Sequence, residues 1–168
     1  MASIDMLLII QSIIIGTLAT FFMDVIAFIR KKYFKTPMLN YALVGRWFLS
    51  WKDGRFIHEN ILQSPSKKFE YISGWLVHYL TGILWAYLYL ILNSIYSFKS
   101  LFLSVLFFSL CTTLVPFIIM QPALGFGFFA SKMPNPLTSI KNSIITHTFF
   151  GVGLFLCYKS VSIYFQCF

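Results

Sequence analysis

The stretch Glu70–Tyr87, EYISGWLVHYLTGILWAY, decides how the rest of the chain is read. Taken at every fourth residue it gives Glu70, Gly74, His78, Gly82 and Ala86, one helical face that is small or polar throughout. The remaining faces are mostly leucine, isoleucine, tyrosine and tryptophan. In so apolar a helix the small face does not look at lipid. It packs on protein and carries His78 into the interior of a membrane bundle.

The composition outward from this stretch agrees. Of 168 residues, 58% are hydrophobic and only 11% are charged, and the mean hydropathy is +0.78. A soluble domain carries roughly a quarter charged residues, so this chain lacks the charge to clothe a solvated surface. Four runs nearly free of charge lie at about residues 6–29, 71–97, 101–124 and 142–163. A hydrocarbon layer about 30 Å thick needs ~20 such residues as helix. The expected fold is therefore all-α, a polytopic bundle of four transmembrane helices forming one membrane domain over residues 1–168.

The third run continues without charge from Leu101 to Ser131, about 45 Å as one straight helix and too long for a bilayer. Pro116, Pro122, Gly125 and Gly127 say how it is shortened: it kinks, then breaks. A broken helix at membrane depth needs protein or a wet cavity to satisfy its freed backbone groups.

Charge sets the expected orientation. Of the 13 Lys and Arg residues, nine lie in the loop 30–69 and two, Lys132 and Lys141, in the loop 125–141. The positive-inside rule makes both loops cytoplasmic and puts both termini outside. Topology alone accounts for the charge, so nucleic acid is not an expected partner. The first run has no basic residue before it and Arg30-Lys31-Lys32 after it, the reverse of a secretory signal, and reads as a retained helix. Cys111, Cys157 and Cys167 show no CxxC spacing and read as isolated thiols.

Each other run has its own four-step stripe. The first carries Ser12, Gly16, Thr20 and Asp24; the third Ser109, Thr113, Phe117, Gln121 and Gly125; the fourth Ser139, Ser143, His147 and Gly151. Asp24 is the only acid inside any run, and a lone carboxylate there must face the bundle. It lies six residues before Arg30, and His147 lies six after Lys141, ~9 Å along each helix. His78 lies eight residues after Glu70, ~12 Å. Asp24, His78, Gln121 and His147 are thus expected at one depth, as an intramembrane polar cluster towards the cytoplasmic leaflet.

Within the first loop, Asn40 is placed to cap a short helix Tyr41–Trp51 with Leu43, Val44, Trp47, Phe48 and Trp51 as its apolar face. That is the make-up of a helix lying in the headgroup layer. Arg46 and Arg55, each followed by an aromatic residue, are expected to meet lipid phosphate, with His58 and Glu70 at the same level. The expected partners are the bilayer, its anionic headgroups, and further copies of the chain, because four helices are few for a pore.

Several segments together carry a resemblance. They are Met23-Asp24, YALVGRW (Tyr41–Trp47), GRFIH (Gly54–His58), GWLVHYLTG (Gly74–Gly82), PFIIMQPALGFGFFAS (Pro116–Ser131) and HTFFGVGL (His147–Leu154). With this pattern the chain resembles the small bacterial integral membrane proteins of domain-of-unknown-function family 2938, over roughly Gly16 to Leu154. The resemblance implies a four-helix protein of the bacterial inner membrane and brings no activity with it. Lys141 stands where arginine is expected, and lysine offers no bidentate fork for an anion.

Three functional readings follow. In the first, Asp24, His78 and His147, with Gln121 and the broken helix, form a site that binds or moves a proton, a cation or a small solute. In the second, the polar residues glue the bundle and the basic loop docks lipid or a partner, without chemistry. In the third, Asp24, His78 and His147 ligate zinc or non-haem iron in a membrane enzyme. No HExxH or ExxH pair supports the metal, so the sequence establishes no cofactor and no catalytic residue, and an enzyme is the less favoured reading.

Overall fold

The computed structural model describes residues 2–166, with side chains described over residues 6–161. Cys167 lies outside the described residues. Helices account for most of the chain, and no strand occurs among the described residues. The helices are α1 (Ala2–Phe34), α2 (Tyr41–Ser50), α3 (Glu70–Tyr96), α4 (Leu101–Cys111), the short α5 (Gln121–Ala123) and α6 (Pro136–Gln166). Four segments are long and apolar enough to cross a membrane: Met6–Phe34, Glu70–Tyr96, Leu101–Ala123 and Pro136–Val161. This is the make-up of a multi-pass membrane protein.

Two helix ends differ from expectation. α1 runs through Arg30 to Phe34, and α6 begins at Pro136, several residues before the apolar run. Helical hydrogen bonding does not stop where hydropathy falls. Lys31 and Lys32 suit a helix C-terminus, and proline suits a first helical position.

The third run is interrupted as its prolines require. α4 stops at Cys111, and a π turn spans Pro116–Met120, closed by the Gln121 N–H on the Pro116 carbonyl. With a proline at each side, Pro116 and Pro122, two ladder donors are missing within two turns, and the wider π ring takes up the mismatch. The helix then ends at Leu124–Gly127. Gly125 sits there at φ +86°, and a side chain on it would strike the His58 and Glu59 carbonyls.

The chain divides into two compact units. One comprises Met1–Lys35, Tyr79–Thr112 and Thr146–Phe168; the other comprises Thr36–His78 and Thr113–Ile145. In the first, Ile15, Ala19, Ala86, Val105 and Leu154 are sealed in the core. The small stripes bring the helices together there. Gly16 lies on the backbone of Gly82 and Ile83, Gly82 against Thr20, Gly151 against Ser109, and Gly153 against Ala19. Leucines such as Leu18, Leu80 and Leu84 point outward and are about half exposed. Tyr89 hydrogen-bonds Ser104 at 2.8 Å, and Asn93 donates to Tyr158 at 3.0 Å.

In the second unit, α2 docks on the first turns of α3. Asn40 caps α2 as expected, its side chain accepting from the Ala42 N–H at 3.1 Å. The face buried against protein is Tyr41, Val44, Gly45 and Ser50, so of the five residues of the expected headgroup-layer face only Val44 is buried. Gly45 allows this, because its backbone rests directly on Glu70 and Gly74. Phe48 and Trp51 stay exposed, and Trp47 donates its indole N–H to the Phe56 carbonyl at 2.7 Å. The loop then runs beside the broken helix. The His58 N–H reaches the Ala123 carbonyl at 2.8 Å, and the Ile61 N–H reaches Leu124 at 3.0 Å. The carbonyls freed at the break are satisfied by protein backbone.

Candidate functional site

The first unit holds two ionisable residues of the expected cluster, each on a hydroxyl. Asp24 on α1 is buried and hydrogen-bonded to Tyr79 on α3. His147 on α6 meets the Thr112 hydroxyl through Nδ1 at 2.7 Å. Thr112 has one hydroxyl hydrogen, directed at the Ser109 carbonyl at 2.6 Å. His147 Nδ1–H is therefore the donor to Thr112, and in the neutral ring Nε2 is left as the acceptor. α1 and α6 meet where Gly153 approaches Ala19 and Phe22. From that level Asp24 and His147 both lie towards the same end, within about one helical turn of each other in depth. One turn before Asp24, the Thr20 hydroxyl is buried without a partner among the described residues.

The second unit holds the other two. His78 Nε2 lies 3.1 Å from the Tyr41 hydroxyl, and the Tyr41 ring packs on both His78 and Trp75, with centroids 4.5 Å and 4.2 Å away. Gln121 is buried, and its Oε1 has no hydrogen-bond partner among the described residues.

Among the described residues no three His, Cys, Asp or Glu side chains are grouped so as to hold a metal ion. Asp24, His78 and His147 each have a hydroxyl partner instead, in Tyr79, Tyr41 and Thr112. Cys111 and Cys157 are free thiols.

The loop residues also sort differently from expectation. Arg46 and Glu70, expected at headgroups, engage each other. Arg46 Nε and Nη2 donate to the two Glu70 oxygens at 2.8 and 2.9 Å. Nη1 donates to the Ile61 and Ser64 carbonyls at 3.1 and 2.8 Å, and Glu70 also accepts the Lys67 N–H at 2.8 Å. The Glu70 carboxylate pushes the Arg46 guanidinium above its ordinary value. This fork clamps the loop onto α3.

A family model described as "Protein of unknown function (DUF2938)" matches residues 13–161, which takes in every one of these groups. The chain belongs to this family. No curated protein and no solved structure matches the chain. In this DUF2938 member, two clefts flank His58. One, of about 470 Å³, is bordered by His58, Glu59, Gly125, Ser131 and Lys132. The other, of about 220 Å³, is bordered by Ser50, Arg55, His58, Ser64, Ser66 and Lys67. His58 is buried, with Nδ1 unpartnered among the described residues. Burial first, and then the Arg55 charge, pulls its imidazole below the ordinary value, against the Ala123 carbonyl. Beside the larger cleft, Phe129 and Ala130 adopt left-handed backbone at φ +51° and +58°, a cost of roughly 1–2 kcal/mol each.

Sequence reasoning passed over the hydroxyl partners. Tyr41, Tyr79 and Thr112 were not singled out from the sequence. The available signal was the sequence neighbourhood: Tyr79 follows His78, and Thr112 lies one turn before Pro116.

Proposed function

We propose that this protein is a multi-pass protein of the bacterial inner membrane that binds, or passes across, a proton, a cation or a small polar solute. Both basic loops would lie in the cytoplasm and both termini outside. The observation that carries the reading is the enclosure of Asp24 against Tyr79, together with His147 on Thr112 in the same unit. A carboxylate and an imidazole at nearly one level of apolar helices exceed what interhelical packing requires. Asparagine would pack as well in place of Asp24 and would carry no proton.

Proteoliposomes with a pH-sensitive dye inside test this. Wild-type protein is expected to collapse an imposed pH gradient, alone or in exchange for sodium or potassium. Asp24→Asn and His147→Ala are expected to insert normally and to leave the rate at that of empty vesicles. Wild-type rates in both variants, or no flux in wild type, would leave the bundle as a scaffold that docks lipid or a partner.

A further inference from the structure

The smaller cleft beside His58 has a chemistry of its own, separate from Asp24 and His147. Arg55 stands on its border, exposed, and takes part in no ion pair among the described residues. Lys67 is its second cation, bridged to Asp53, which is itself about half exposed. Asp53 is held below the usual carboxylate range by the Lys67 hydrogen bond, and feels Lys52 and Arg55 as well. Three cations thus surround one acid, and the local field favours an anion.

The polar lining supports the same sign. Ser50 directs its hydrogen to the Arg46 carbonyl at 2.7 Å and is not free to donate. Ser64 makes only a long bond to the Asn60 carbonyl, at 3.5 Å, and Ser66 is exposed. Both hydroxyls are therefore available to an incoming acceptor. His58 completes the wall, buried and with its Nδ1 unpartnered among the described residues. The space of about 220 Å³ is large enough for a tetrahedral oxyanion. Next to it stands an exposed aromatic group. Trp51 packs on Trp47 and Phe48 at centroid distances of 5.0 and 5.3 Å and on Phe56 at 6.0 Å, with Phe56 and Ile57 largely uncovered. Aromatic rings beside basic residues suit the boundary between headgroups and acyl chains.

From this juxtaposition we infer that the Arg55–His58–Lys67 cleft binds a phosphate group, with Arg55 as the principal donor and the Ser64 and Ser66 hydroxyls completing the contacts. The group belongs either to an anionic phospholipid, whose chains would then lie along Phe56 and Ile57, or to free phosphate.

The test uses the full chain in detergent in two arms. Native mass spectrometry reads retention of phosphatidylglycerol against phosphatidylcholine, and titration calorimetry reads inorganic phosphate. Wild type and Lys99→Gln, a charge loss elsewhere in the chain, are expected to bind alike. Arg55→Gln is expected to weaken binding about tenfold, the loss of a charge-assisted hydrogen bond. Arg55-dependent retention of phosphatidylglycerol alone assigns the lipid, and Arg55-dependent phosphate binding assigns the free ion. Binding that Arg55→Gln leaves unchanged, or no binding in either arm, overturns the proposal. Arg55 takes part in no ion pair among the described residues, so this variant is expected to fold.

Discussion

Gly74→Val is expected to keep the chain from reaching its folded state. A Cβ at this position would overlap the Tyr41 carbonyl oxygen and lie 2.6 Å from the Tyr41 carbonyl carbon and 3.1 Å from the Gly45 nitrogen. These are backbone atoms of α2 and cannot rotate aside. Relief requires lifting α2 from α3, which would also move the Tyr41 hydroxyl from His78 and Arg46 from Glu70. Overpacking of side chains alone costs ~1–3 kcal/mol, and displacing a backbone falls at or above the top of that range. Size-exclusion profiles and Tm in detergent check this: Gly74→Val should aggregate or melt far below wild type. Gly54→Asn is the matched control. Gly54 sits at φ +70° with nothing within 4 Å of where a Cβ would stand, and asparagine tolerates that backbone. A Gly74→Val protein with wild-type Tm would mean that α2 does not rest on α3 as described.

Arg46→Ala is expected to have the second-largest effect. The Arg46 and Glu70 side chains are only 12% and 15% exposed, so the pair is mostly shielded from water and salt. Removing the guanidinium leaves Glu70 without its counter-charge and the Ile61 and Ser64 carbonyls without their donor. Breaking a fully buried pair in this way costs ~3–5 kcal/mol, and the partial exposure of this one sets its loss towards the lower end. Arg46→Lys should recover only part of the loss, because an ammonium cannot span both carboxylate oxygens and two carbonyls. Arg46→Met combined with Glu70→Gln should melt above Arg46→Ala, since no charge is stranded. Thermal unfolding of wild type, Arg46→Met, Glu70→Gln and the double variant in one detergent measures the coupling, and additive effects of the two sites would show the fork to be incidental.

The spans and their inward faces were legible because lipid contact imposes a simple rule. Every large residue is welcome outside, so a repeated small or polar position has only one place to go. Ser12, Thr20, Asp24, Ser109, Thr113, Phe117 and Gln121 are all buried, as their four-step spacing requires. The interrupted third run was equally legible, since Pro116 and Pro122 delete donors whatever surrounds them. What the sequence did not mark was the face of α2 that packs on protein. Gly45 and Tyr41 form that face, because close backbone approach is achieved by absence of a side chain, which hydrophobic periodicity does not register. Arg46 was misread for a related reason: its partner Glu70 lies 24 residues away, and the fold alone joins them. The hydroxyl partners of Asp24, His78 and His147 were invisible as such, because tyrosine and threonine are common in membrane helices in any role. The His58 clefts depend on loop backbone paths that no spacing rule reaches.

The central claim is that the small and polar stripes turn inward and carry Asp24 with them. Disulfide trapping between α1 and α3 tests it most directly, with Cys111, Cys157 and Cys167 first replaced by alanine. A Cβ at Gly82 would lie 3.3 Å from the Thr20 Cβ, close to the ~3.5–4.5 Å of a disulfide. The Thr20→Cys/Gly82→Cys protein is predicted to cross-link rapidly in membranes under mild oxidation, and Thr20→Cys/Leu84→Cys to remain reduced. Cross-linking through position 84 with none through position 82 would place the leucine face inside and contradict the account.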